Sequence, residues 1–130
     1  MKILRSIDVE EETRLVLKDF FQVYVRPLPE NFITPSVLIE LMGGTSENTI
    51  DTFLVRFSAR ASTDAEALDL LRTLLGVLKY QTENQVGKLR FSEEQSLISW
   101  GNDPIRQDLK LCTATVNVIA HKESFDIDES

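Results

Sequence analysis

From Asp51 to Ala61 the chain alternates with a period of two. Phe53, Val55, Phe57 and Ala59 fall on one side of an extended backbone, and Arg56, Ser58 and Arg60 fall on the other. Such a run asks for a sheet with one face in a core and one face against water. The chain must therefore supply further strands to pair with it and apolar surfaces to cover its buried side.

Those partners can be read on both sides of the run. A strand is expected at Val37 to Met42, closed by Gly43-Gly44, with Thr45 to Asn48 as a polar loop. Shorter strands are expected at Lys88 to Phe91 and Ser96 to Trp100, separated by the Gly101-Asn102-Asp103-Pro104 turn from a long one at about Leu109 to His121. In that last strand Cys112, Ala114, Val116, Val118 and Ala120 share one face; Leu111, Thr113, Thr115, Asn117 and Ile119 share the other.

Two helices complete the set. The first is expected from Asp8 to Val23, opened by a capping-box-like Asp8 and Glu11. Val16, Phe20 and Val23 form its stripe with Leu17 and Tyr24, and Pro27 stops it near Arg26. Pro27, Pro29 and Pro35 then mark an extended connector. The second helix starts at Thr63, capped with Glu66, and runs to Tyr80 with Leu68, Leu71, Leu75 and Leu78 along its stripe. Gly76 costs that helix ~1 kcal/mol relative to Ala, which suggests a close packing point. The expected class is α+β: a mostly antiparallel sheet of four to five strands flanked by two amphipathic helices. One domain covers residues 1–122, followed by an acidic, disordered tail at 123–130.

Composition removes several function classes. With 14 Lys and Arg against 21 Asp and Glu, the net charge of −7 argues against sequence-specific nucleic-acid binding. One Cys excludes an internal disulfide, and one Cys with one His cannot build a typical zinc site. Asp8 and Glu10-Glu11-Glu12 interrupt any signal-peptide core, and the longest apolar stretch, near Leu74 to Leu78, falls far short of the ~20 residues of a membrane span. No membrane association is expected, and synthesis is expected in the cytoplasm.

Catalytic readings fare poorly. His121 reads as a surface histidine, and Cys112 as a small core hydrophobe. No G-x-S-x-G elbow occurs, and Gly43-Gly44 lacks the following Lys of a phosphate loop. Glu10-Glu11-Glu12 point in different directions around a helix, and Asn102-Asp103 lacks the alternating carboxylates of a calcium loop. The expectation is a non-enzyme with no cofactor and no metal.

Surface features point to assembly instead. Arg56 and Arg60 form a basic stripe on an acidic chain, suited to head-to-tail contacts between copies. The outward face of the last strand, through Thr113 and Thr115, is too apolar for pure solvent and too polar for a core. The loop holding Gly43, Gly44, Thr45 and Asn48 completes the set of candidate interface residues.

The run Asp51 to Ala61, leading through Ser62-Thr63-Asp64 into the helix Ala65 to Tyr80, resembles the small tail terminator, or tail completion, proteins of long-tailed bacteriophages. Many of these are called minor capsid or head–tail joining proteins. The N-terminal helix, the Pro-rich connector, the strand ending in Gly43-Gly44, and Asn102-Asp103-Pro104 before a long final strand follow the same pattern. The resemblance spans about Glu10 to His121.

It implies a structural virion protein in the phage tail, made in the bacterial host cytoplasm. Six copies would form a ring that caps the tail-tube protein's polymer, ends its growth and offers a docking surface to the head–tail connector proteins. Such a ring would carry roughly −42, enough to keep DNA from adhering to an acidic channel wall. The alternatives are another phage neck or tail-tube component, or a small assembly or binding module outside any phage.

Overall fold

A computed structural model describes residues 1–94 and 98–128. In chain order the elements are β1 (Lys2–Arg5), α1 (Val9–Leu17), β2 (Val23–Val25), β3 (Ser36–Glu47), β4 (Ile50–Ala61), α2 (Asp64–Glu83), β5 (Phe91–Glu94), β6 (Ser99–Asn102), β7 (Lys110–His121) and β8 (Glu123–Asp126). The fold is α+β. Six strands form one sheet in the order β2-β3-β4-β7-β5, with β6 pairing β7 beside β5, and β1 and β8 form a separate two-stranded ribbon. The expected sheet of four to five strands is thus larger by short edge strands.

The alternating run does what its period demands. Val55, Phe57 and Ala59 are fully buried, as are Cys112 and Val118 on β7, with Ala114, Val116 and Ala120 close behind. β4 pairs β3 on one side and β7 on the other, both antiparallel, with Phe57 opposite Ile39 and Ala114. Both helices cover this one face. From α2, Leu71, Leu74 and Leu78 enter the core without residual exposure; from α1, Val16 and Leu17 join them. Each buried leucine contributes about 1.5–3 kcal/mol relative to exposure.

The caps follow the sequence. Asp8 Oδ1 accepts the Glu11 N–H at 3.3 Å, and Thr63 Oγ1 accepts the Glu66 N–H at 3.2 Å. The expected span of the first helix does not hold. It ends at Leu17, whose carbonyl accepts the N–H groups of Phe20 and Phe21 in a turn. Val23, Tyr24 and Val25 instead pair in parallel with Val37, Leu38 and Ile39. β-Branched residues gain more on a pleated sheet than in another helical turn, so strand pairing wins over the helical stripe.

Gly43-Gly44 does not close its strand. β3 continues to Glu47 through a bulge between Leu41 and Gly43, and the loop shrinks to a turn at Asn48 and Thr49. Gly44 has φ +149° and lies so close to β4 that a Cβ would meet the Thr52 carbonyl oxygen at 2.1 Å, so glycine keeps the strand paired rather than ending it. Gly76 is the reverse case. It is exposed on α2, and a Cβ there would meet nothing within 4 Å, so it marks no packing point.

The shorter elements shift as well. The strand expected at Lys88 to Phe91 starts only at Phe91, and α2 runs past Tyr80 to Glu83. Of the strand expected at Ser96 to Trp100, Ser96 and Leu97 lie outside the described residues, and β6 begins at Ser99. Gly101 and Asn102 belong to β6, and the turn opens at Asp103, whose Oδ1 accepts the Ile105 N–H at 2.9 Å.

The acidic tail is corrected in its first half. Glu123–Asp126 forms β8, antiparallel to β1, with Ile3 opposite Phe125 and Arg5 opposite Glu123. Arg5 Nε donates to Glu123 Oε1 at 2.8 Å, and its guanidinium lies 3.5 Å from the centre of the Phe125 ring. A distant strand compensates the charge that made this segment look solvated. Glu129 and Ser130 lie outside the described residues.

Candidate functional site

The face of the sheet turned away from the helices carries most of the candidate residues. β4 contributes Leu54, Arg56, Ser58 and Arg60, and β7 contributes Leu111 to Ile119 at alternate positions. Cross-strand register sets Arg56 opposite Glu40 on β3 and Thr115 on β7. Arg56 Nη2 and Nε donate to Glu40 Oε1 at 3.0 and 3.2 Å, and the arginine side chain keeps 38% of its surface exposed. This is a cross-strand ion pair at a wet surface, worth a few tenths to about 1 kcal/mol.

Arg60 departs from the expected basic stripe. It is buried, with Nε donating to Asp103 Oδ2 at 2.9 Å, and the Asp103 side chain is fully withdrawn from water. Phe32 from the Pro-rich connector packs over it, its ring centre 5.8 Å from the Arg60 guanidinium and 5.2 Å from that of Arg106. The connector and the 103–109 loop therefore close one end of this face. Arg56 remains within reach of a neighbouring molecule, whereas Arg60 holds two loops on the sheet.

Thr113 and Thr115 are half-buried beside this arrangement. Thr113 Oγ1 and Ser99 Oγ share a hydrogen bond of 2.7 Å, so β6 partly occupies the threonine's side of the sheet. Gly43, Gly44, Thr45 and Asn48 are exposed, but they belong to the far end of the β3–β4 hairpin rather than to a flexible loop. Four residues along β4 separate Arg56 from Thr52, the partner of Thr45, a span of roughly 14 Å. The structure thus joins Arg56, Thr113 and Thr115 on one surface and sets the hairpin group apart from them.

Near the turn of that hairpin, on the helix side, lies a recess of about 190 Å³ lined by Ser6, Gly44, Ser46, Asp51 and Phe53 among others. Asp51 is buried, and neither carboxylate oxygen has a well-formed hydrogen bond. Burial works to raise its carboxyl. The nearby Ser6 and Ser46 hydroxyls, with the Lys122 ammonium 3.9 Å from Oδ1, outweigh burial and hold it below the ordinary aspartate range. Asp51 therefore remains ionised where the hairpin, the end of β1 and the start of β8 meet.

The residues weighed for chemistry sit apart. His121 is exposed at the end of β7. Cys112 is fully buried, and burial, with the Asp64 charge adding, pushes its thiol up, which keeps it in the unreactive protonated form. Among the described residues no group of three or more His, Cys, Asp or Glu side chains is placed to hold a metal ion. No helix among them is long and apolar enough to cross a membrane.

Sequence reasoning missed Glu40, Asp103 and Asp51. Counting register back from the turn would set Leu41 opposite Arg56; the bulge between Leu41 and Gly43 shifts the pairing by one residue and brings Glu40 there instead. The Asp103 signal was present as turn chemistry, but turn chemistry does not show that the carboxylate lies under a connector 70 residues earlier in the chain. No protein-family model matches this chain, and no curated protein sequence matches it.

Proposed function

We propose that this chain is a non-enzymatic structural protein of a long-tailed bacteriophage that assembles as a ring, caps the tail tube, ends its polymerisation and offers a docking surface to the head. The observation that carries the reading is the sheet face opposite the helices. One end of it is closed by two loops, and across the rest Glu40, Leu54, Arg56, Asn117 and Ile119 are half-buried and of mixed polarity. Faces of that composition suit contacts between folded proteins, which resemble ordinary surface more than interiors. The order of elements from Glu10 to His121, with its long alternating strand leading into a capped helix, adds the resemblance to tail terminators.

The charge fits the same role. At −7 per chain, a ring of copies repels the phosphates of DNA passing through it. The test is to mix the purified chain with tubes of the major tail protein encoded beside it. Electron microscopy should show a ring at one tube end and a narrower distribution of tube lengths. Bare tube ends and unchanged lengths at saturating protein would overturn the reading.

A further inference from the structure

The β1–β8 ribbon stands outside the six-stranded sheet, and among the described residues neither strand pairs with any strand but the other. Both outer edges therefore present backbone donors and acceptors without a strand partner, the arrangement through which sheets join other chains. Lys2, Leu4 and Arg5 on one strand, and Ser124, Phe125 and Asp126 on the other, are all exposed. The two strands carry opposite charge. β1 holds Lys2 and Arg5 with no acid, and β8 holds Glu123 and Asp126 with no base. Lys122, just before β8, turns its ammonium toward Asp51. Glu123 takes Lys88 as well as Arg5, at 3.1 and 2.8 Å, which anchors the foot of the ribbon, and at its outer end Asp126 Oδ1 meets the Met1 ammonium at 3.4 Å in an exposed pair.

This pattern sorts the ways two copies can meet. Two β1 edges bring Lys2 and Arg5 against their own kind, and two β8 edges bring acid against acid; both are repelled. Only a β1 edge against a β8 edge matches sign. A contact between unlike edges is head-to-tail, so it propagates around an axis instead of closing a twofold pair. We propose that the outer edge of β1 docks on the outer edge of β8 of a second copy of this chain, and that this strand addition is a contact that joins successive copies. The proposal rests on the reading of the chain as a self-assembling ring protein. Exposed Leu4 and Phe125, on opposite faces of the ribbon, supply apolar surface to the joint.

The experiment uses three charge variants of the whole chain and sedimentation at low salt, up to about 1 mM protein, where weak association is still measurable. Lys2→Glu with Arg5→Glu makes both edges acidic, and Glu123→Lys with Asp126→Lys makes both basic. Each variant alone should lose self-association by at least about tenfold, and an equimolar mixture of the two should recover it. The fourfold variant carrying all these substitutions keeps the pair between positions 5 and 123 with its signs exchanged, gives up the exposed contacts of Glu123 with Lys88 and of Asp126 with the Met1 ammonium, and, where its circular dichroism matches the parent, should associate like the parent chain. It guards against mistaking a melted ribbon for a lost interface. A parent chain that stays monomeric, or double variants that associate as the parent does, overturns the ribbon contact. So does a fourfold variant that fails to associate while its circular dichroism matches the parent. The tube-capping assay separates this from the broader reading: double variants that still cap tubes normally refute the ribbon alone, and a parent that caps no tube refutes the ring function.

Discussion

Arg60 reaches across from β4 to the loop after β6, where its Nε donates to Asp103 Oδ2 at 2.9 Å beneath the ring of Phe32. The two side chains are 7% and 0% exposed, so the pair has replaced solvent by one another on a face that is otherwise half-open. Arg60 Nη1 is buried without a hydrogen-bond partner, so the site is not fully satisfied. Breaking the pair is therefore a different matter from trimming a surface arginine.

Asp103→Ala leaves the Arg60 cation buried and alone. It should cost about 3–5 kcal/mol, read as a shift of the urea midpoint at unchanged slope. Replacing both residues together by apolar side chains of similar size should recover most of that loss. A change below about 1 kcal/mol for Asp103→Ala would place the pair among ordinary surface contacts.

Arg56→Glu sets a carboxylate opposite Glu40. Because this pair is partly solvated, the fold should lose only about 0.5–1 kcal/mol, and the chain should remain folded at room temperature. Ring formation on tail tubes should weaken, since the substitution reverses charge in the middle of the open sheet face. Capping at parental efficiency removes Arg56 from the assembly surface.

Two glycines should respond in opposite directions. Gly44→Ala meets the Thr52 carbonyl and forces a strained φ, and it should destabilise by about 1–3 kcal/mol or more. Gly76→Ala sits in open space on α2 and should stabilise by up to about 1 kcal/mol. Thermal unfolding of the two single variants checks both signs.

Acid should undo the link between α1 and β3. Glu10 Oε2 accepts the Leu41 N–H at 2.9 Å and the Arg26 Nε–H at 3.0 Å. Burial raises its carboxyl, but Arg26 and the backbone donors outweigh that and hold it below the ordinary glutamate range. A folded-state value below the unfolded one means that the contribution is fully present above about pH 4.3, the unfolded glutamate value, and is lost as pH falls through the folded value. The melting temperature should therefore be level near neutrality and decline from about pH 4 downward, with a shallower decline in Glu10→Gln. Equal acid slopes in the two proteins would exclude Glu10 as a contributor.

How far the sequence reached is clear from particular elements. The inner faces of β4 and β7 and the stripe of α2 were legible residue by residue, because each is set by a short period in one continuous segment. The caps at Asp8 and Thr63 were legible for the same reason. The span of α1 was misread because Val23 and Tyr24 satisfy a helical stripe as well as a strand, and only the distant β3 decides between them. Among the candidate interface residues, Arg56 was correctly set on an outward face. Arg60 shares its parity, but its burial depends on Phe32 and Asp103, which no local pattern brings near it.

The amino-acid sequence by itself determined the α+β class, the alternating core strands and the two capped helices, since these follow from side-chain direction along a regular backbone. The tertiary structure alone decided which outward residues meet water, which carboxylate neutralises Arg60, and that a segment as acidic as Glu123–Asp126 becomes a strand. Those outcomes turn on charge compensation and desolvation between segments far apart in the chain, and the energies of both depend on distance in space rather than on spacing in sequence.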